Sequence, residues 1–246
     1  MDRSLYVGMT GASQIMAAQA VLAQNLANVS TTGFRADLHA MSAVPVEGPG
    51  FATRVNAVAN VSGFSTESGM ITQTGAPLDV AVMGSGWLAV QAKDGTEAYT
   101  RAGDLHLSPD GMLMTATGLP VLGDGGPLTI PPADSVSIGS DGTITIVPQG
   151  TGAKGASAIA RLKLVNPPEA QLVKGVDGLI RTKDGTPAPL DAAVQVRSGA
   201  LETSNVSAPR ALVQMIELAR MFDMQTRLMS TTDQNAASAQ KLLSAA

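Results

Sequence analysis

Residues 4–34 contain no Asp, Glu, Lys or Arg, yet they carry the spacing of a long helix. Leu5, Ala12, Gln19 and Leu26, together with Gly8, Ile15, Leu22 and Val29, recur at alternating steps of three and four. That spacing predicts a helix from about Ser4 to Val29, stopped by Asn28 and Ser30-Thr31-Thr32-Gly33. A helix with one face in water normally carries charge on it. Here the remaining positions hold Ala, Gly, Ser, Thr, Gln, Asn and Met, small or adaptable side chains that admit close neighbours on several sides. The expectation is a helix buried among other helices.

The other end of the chain repeats the pattern. A second helix is expected from an N-cap at Ser207, through Pro209 in its first turn, to about Leu243. Leu212, Met215, Ala219, Phe222, Thr226, Met229, Asp233, Ala236, Gln240 and Leu243 keep heptad spacing. Between Ala211 and Met224 only Gln214, Glu217, Arg220 and Asp223 are polar, so the apolar surface is wider than one partner helix covers. Packing of the two termini on each other leaves a surplus, which predicts contacts to further copies or relatives.

Between the helices the period changes. Asp-Gly occurs at Asp94, Asp110, Asp124, Asp141, Asp177 and Asp184, a tight-turn signal between β-prone runs. Strands are expected at Leu78–Val82, Trp87–Gln91, Val136–Ile138, Thr143–Val147, Ile159–Val165 and Leu179–Arg181. The expected class is α+β: long N- and C-terminal helices packing together as a coiled-coil-like helical domain, flanking a mainly antiparallel β central domain. The expected divisions are residues 1–35 (N-terminal helix), 36–77 (extended or β connection), 78–190 (central β domain), 191–206 (returning segment) and 207–246 (C-terminal helix).

Composition narrows the function classes. With 16 basic residues, a net charge of −4 and no basic run, there is no electrostatic footprint for nucleic acid or an anionic membrane. Cysteine is absent, which excludes disulfides, thiolate catalysis and cysteine-based zinc sites. His39 and His106 are the only histidines and neither sits in a catalytic context; Gly84-Ser85-Gly86 lacks the outer spacing of a nucleophile elbow. Gly150-Thr151-Gly152-Ala153-Lys154-Gly155 matches a dinucleotide fingerprint literally, but Ala156 to Val165 reads as strand where that motif needs a helix. Asn28-Val29-Ser30, Asn60-Val61-Ser62 and Asn205-Val206-Ser207 read as helix-end and turn residues, not glycosylation sites. Trp87 reads as a core anchor. No enzyme, cofactor or metal is expected. No cleavable signal peptide is visible at Met1-Asp2-Arg3, and no stretch has the length to span a bilayer, so direct membrane insertion is not expected.

Three segments carry a resemblance. Gln24-Asn25-Leu26-Ala27-Asn28-Val29-Ser30-Thr31-Thr32-Gly33-Phe34-Arg35 resembles the N-terminal signature of the flagellar rod and hook axial proteins, with Gln24-Asn25 where the family pattern has two Asn. Leu78-Asp79-Val80-Ala81-Val82 through Gly86-Trp87-Leu88-Ala89-Val90, then Tyr99-Thr100-Arg101 and Gly103, resembles their shared β domain. Gly199-Ala200-Leu201-Glu202-Thr203-Ser204-Asn205-Val206 resembles the entry to their terminal helix. Met1-Asp2-Arg3, Tyr6, Met9-Thr10-Gly11-Ala12, Gly126–Pro132 and Met215–Arg220 are similar to the proximal-rod branch, with the distal-rod protein FlgG the nearest rival.

The resemblance implies a structural subunit of the basal-body rod in the periplasm, delivered by the flagellar type III export apparatus. It further implies helical assembly with FlgB, FlgC, FlgG and copies of itself, transmitting torque for motility. The expected assembly interface comprises Leu5, Met9, Ala12, Ile15, Met16, Leu22, Asn25, Leu26, Asn28, Gly33 and Phe34, with Leu212, Met215, Ile216, Ala219, Phe222, Met229 and Leu243 from the second helix. The competing class is a secreted β-rich binding or carbohydrate-active domain on a helical stalk. Four Phe, two Tyr and one Trp scattered along the chain are poor material for its pocket.

Overall fold

The computed structural model describes residues 3–45, 55–150 and 155–244, without the side chains of residues 3, 4, 57, 59–62, 242 and 243. Helix α1 runs Arg3–Ala27 and helix α2 runs Ala208–Ser244. Strands β1 (Asp37–Pro45), β2 (Val55–Phe64) and β3 (Ile71–Gln73) occupy the connecting region. There follow β4 (Val80–Met83), β5 (Trp87–Gln91), β6 (Glu97–Thr100), β7 (Leu105–Leu107), β8 (Leu113–Thr115), β9 (Leu122–Gly123) and β10 (Gly126–Pro127). The series ends with β11 (Ala133–Ile138), β12 (Thr143–Pro148), β13 (Ser157–Arg161), β14 (Leu164–Val165), β15 (Leu172–Lys174), β16 (Ile180–Thr182), β17 (Gln195–Ser198) and β18 (Ala200–Glu202). The class is α+β: two terminal helices pack on each other, and a central antiparallel β region lies between them in sequence.

The chain divides into two compact units. The first comprises residues 1–28, 37–63 and 206–246, and so holds both helices and nearly all of the β1–β2 ribbon. Its apolar cluster is small: Ile15, Ala18, Leu22 and Leu218, with Met215 and Phe222 packed against it. Asn25 fixes the start of the ribbon: its side chain accepts from the Asp37 N–H at 2.8 Å and donates to the Asp37 carbonyl at 2.9 Å, pairing with that backbone as a strand would.

The second unit comprises residues 29–36 and 64–205. A five-stranded sheet in the order β14-β5-β6-β16-β15 is its centre, with a three-stranded sheet β11-β12-β13 and the ribbons β17-β4, β18-β3, β7-β8 and β9-β10. Strand β5 is buried from Trp87 to Val90, and its alternation divides those side chains between two clusters. Leu88 and Val90 join Leu113, Val121, Ile144 and Leu162, whereas Trp87 and Ala89 join Tyr99, Val165 and Ile180. A strand covered on both faces reads as an unbroken apolar run, as Trp87-Leu88-Ala89-Val90 does.

One expected strand divides. The segment Ile159–Val165 is not one strand: β13 belongs to the three-stranded sheet, β14 to the five-stranded one, and the chain crosses over at Leu162, wholly buried between them. In five of the six Asp-Gly turns the glycine takes the positive φ and the Asp does not; at Asp124-Gly125 the positive φ falls on Gly126 instead. At Asp94-Gly95 and Asp141-Gly142 the glycine has φ of 81° and 83°, and its N–H bonds back three residues, to Ala92 and Gly139. The Asp instead receives the Thr96 or Thr143 N–H two positions on, so these are turns closed by a left-handed glycine. Thr151 to Lys154, inside the glycine-rich stretch set aside above, lie outside the described residues.

Candidate assembly site

Helix α1 presents two uncharged stripes. The inner one consists of Gly8, Ala12, Ile15, Ala18, Leu22 and Asn25, all buried. The outer one is Tyr6, Met9, Ser13, Met16, Ala20, Ala23 and Ala27, again at alternating steps of three and four, and every member is exposed. Tyr6, Met9 and Met16 are more than half exposed, at 59%, 54% and 58%. There is no charge from residue 4 to residue 34, and the hydroxyls of Tyr6 and Ser13 are the only polar side-chain groups on this stripe, so it is poorly suited to water.

Helix α2 meets the inner stripe through Ala211, Met215, Leu218, Phe222, Gln225 and Met229. The heptad positions read from sequence share Met215, Phe222 and Met229 with this seam. Leu212 and Ala219 lie outside it, and both are exposed; Ala211 and Leu218 take the inward positions. The cause is size and polarity together: Leu218 fills the small cluster opposite Ala18, and on the same phase the Gln225 amide reaches the Gly8 carbonyl. Val213, Ile216, Met221, Met224 and Leu228 join Leu212 as exposed apolar side chains. Among the other interface candidates, Leu5, Leu26, Asn28 and Phe34 are half-buried, Gly33 is buried, and the Leu243 side chain lies outside the described residues.

In the β unit a buried ion cluster gathers the chain segments that lead to both helices. Glu202, 1% exposed, pairs with Arg35 through Oε1 at 2.9 Å and with Arg101 through Oε2 at 2.9 Å. Oε1 also accepts the Gly69 N–H at 2.8 Å. Arg101 donates to the carbonyls of Val82 at 3.1 Å and Gly84 at 2.6 Å, and Arg35 donates to that of Glu67. Both guanidiniums lie over the Trp87 ring, 5.5 and 5.1 Å from its centroid, with Phe64 edge-on to the same ring. Burial lowers the pKa of both arginines, and the Glu202 carboxylate opposes that shift; at Arg35 the neighbouring Arg101 charge adds to the lowering. Nε of each arginine meets no acceptor, so the cluster is held by charge and the aromatic face more than by saturated hydrogen bonding.

Backbone geometry closes the same junction. Gly33, at φ 65°, donates its N–H to the Glu202 carbonyl at 2.8 Å, and a Cβ there would stand 2.2 Å from the Arg101 carbonyl carbon. Asn205 accepts the Ala36 N–H at 2.8 Å and donates to the Glu67 carbonyl at 2.9 Å. Lys174 lies 4.2 Å over the Phe34 ring and donates to the Arg35 carbonyl. Arg35, Trp87, Arg101, Glu202, Asn205 and Gln225 were not among the residues singled out for a site. Five of them do sit inside the three segments that carried the resemblance, and the cluster is where those segments meet. The ionised groups are committed to one another, and among the described residues no group of His, Cys, Asp and Glu could hold a metal ion.

Comparison with known proteins matches the same regions. Residues 5–35 match the family described as flagella basal body rod protein, residues 81–146 the flagellar hook protein FlgE/F/G D1 domain, and residues 197–242 the flagellar basal body rod FlgEFG protein C-terminal family. The flagellar basal-body rod protein FlgF of Escherichia coli (strain K12) is 43% identical over 99% of both chains. FlgF of Salmonella typhimurium is 42% identical over the same share, and FlgG of Bacillus subtilis is 33% identical over 95% of this chain and 96% of its own. The nearer likeness to FlgF, across the full length and through all three motif segments, means that the chain belongs to the FlgF branch of the flagellar basal-body rod proteins, structural subunits of the rod.

Proposed function

We propose that the exposed stripes of α1 and α2 are the surfaces on which this rod subunit assembles, against FlgB, FlgC, FlgG and further copies of itself. The observation that carries this reading is the outer stripe of α1, a second heptad seam left exposed among the described residues. Burying a large apolar side chain contributes about 1.5–3 kcal/mol, so Tyr6, Met9 and Met16 together represent a strong drive toward a neighbouring helix. Assembly of a tube needs head-to-tail contacts between different faces, which two unlike helical surfaces on one subunit supply.

The β unit is held together internally by the Arg35–Glu202–Arg101 cluster, and its role is mechanical, not catalytic. Delivery follows the flagellar type III route, with the N-terminal helix kept because it is part of the assembly surface.

Met16→Asp tests the reading, since Met16 is on the outer stripe and away from the seam. The expected outcome is an unchanged melting temperature for the free protein, with loss of swimming and of the subunit from isolated basal bodies. Normal motility in cells carrying the variant would remove the outer stripe from the assembly surface.

A further inference from the structure

The seam between α1 and α2 contains a polar contact that assembly does not explain. Gln225 Nε2 donates to the Gly8 carbonyl at 3.0 Å. The approach depends on two glycines: a Cβ on Gly8 would stand 2.8 Å from Cγ of Met229 and 3.3 Å from Gln225 Nε2, and one on Gly11 would stand 3.2 Å from the same nitrogen. A helix carbonyl already bonded along its own helix has a second lone pair, and only a bare turn exposes it to a neighbouring side chain.

The rest of the seam is permissive. Gly8 faces Gln225 and Met229 while Ile15, Ala18 and Leu22 pack with Leu218, so the pair is antiparallel. Helix α2 has 37 residues against 25 in α1, and its seam spacing continues beyond Met229 through Thr232, Ala236 and Ala239. Sliding α1 by one heptad toward the C-terminal end of α2 therefore keeps small and apolar positions facing one another. What changes is Gln225: Ile15 and Ala18 replace Gly8 and Gly11 opposite it. Their side chains shield the helix carbonyls, and the half-buried amide loses its acceptor on α1.

We infer that Gln225, with Gly8 and Gly11, determines the register of the helix pair, as a lone polar residue in a coiled-coil seam selects one alignment over near-equivalent ones. Register decides which outer side chains stand side by side, and hence whether Tyr6, Met9 and Met16 on α1 and Met221, Met224 and Leu228 on α2 form one reproducible surface.

The chain has no cysteine, so Ala23→Cys and Leu228→Cys, both at exposed positions, can carry a spin-label pair in the full-length protein. These sites are offset along the helix axis, and a one-heptad slide brings them closer by up to about 10 Å. Pulsed dipolar spectroscopy should give one narrow distance in the parent. Gln225→Met, which keeps volume and removes the donor, should add a second, shorter distance whose population rises at least about fivefold. Gly8→Ala, which displaces Gln225 and Met229, should do the same. A single unchanged distance in both variants overturns the inference. So does uniform broadening without a second population, which would make Gln225 a stabilising contact only, and so does a broad distribution in the parent, which would mean no register is fixed.

Discussion

Replacing Glu202 by Gln keeps the shape of the side chain and removes the carboxylate that, among the described residues, pairs with both Arg35 and Arg101. Removing one partner of a buried ion pair costs about 3–5 kcal/mol, because the remaining charge stays out of water without compensation. Here one carboxylate serves two guanidiniums that repel each other, and the side chains of all three residues are no more than 3% exposed. The upper part of that range is therefore expected, limited by the energy of opening residues 29–36 so that Arg35 reaches solvent. For a unit of this size each kcal/mol lowers the melting temperature by roughly 2–4 °C, so Glu202→Gln should lower it by about 10–15 °C. Trp87, the only tryptophan, lies against both guanidiniums, so its fluorescence follows the cluster during thermal or urea unfolding. Arg35→Met should cost less, because it leaves the Glu202–Arg101 pair intact. A loss below about 1 kcal/mol for Glu202→Gln would refute the reasoning, since that is the cost of an ordinary exposed pair.

Gly33→Ala places a Cβ against the Arg101 backbone at a positive φ, and unfolding of the variant should show a loss of at least about 3 kcal/mol. Asn25→Leu removes both bonds to the Asp37 backbone at a cost of about 1–3 kcal/mol, and hydrogen exchange at the Asp37 amide should accelerate while amides in β5 and β6 keep their protection. Burial pushes the Tyr99 phenol up to about 12, against the Ala188 N–H donated to its oxygen, so an absorbance titration should show one of the two tyrosines ionising only near that pH. Because the unfolded phenol ionises near pH 10, the stabilisation it represents is complete below about pH 10 and is lost as pH rises toward 12; Tyr99→Phe should flatten stability across that window.

The helices were legible because their information is local. Alternating steps of three and four within 25 residues fix a helix and a face whatever the partner is. The phase of α2 was not legible in the same way, since Leu212 and Leu218 are equally good inward residues on sequence spacing alone. Leu212 is left exposed because Leu218 has Ala18 opposite it, a fact belonging to the other end of the chain. Strand boundaries followed the Asp-Gly turns well at Trp87–Gln91 and Thr143–Pro148, where each strand has a turn close by. They failed at Leu162, where no turn residue marks the crossing from one sheet to another and apolar alternation continues through it.

The ion cluster escaped for a related reason. Each member lies in a segment already singled out, Arg35 after Gly33-Phe34, Arg101 after Tyr99-Thr100 and Glu202 after Ala200-Leu201, but Glu202 is separated from Arg101 by 101 positions. Local patterning marks such residues only as charges beside buried strands, and in a chain with only 15% charged residues that is itself a signal. A charge is not kept in an apolar segment without a partner, and the shortage of charges here leaves few candidates to pair. The three motif segments are thus best understood as the parts of one junction. The glycine at residue 33 lets the backbone approach Arg101, Arg35 brings the charge, and Glu202 binds the segment entering α2 to both.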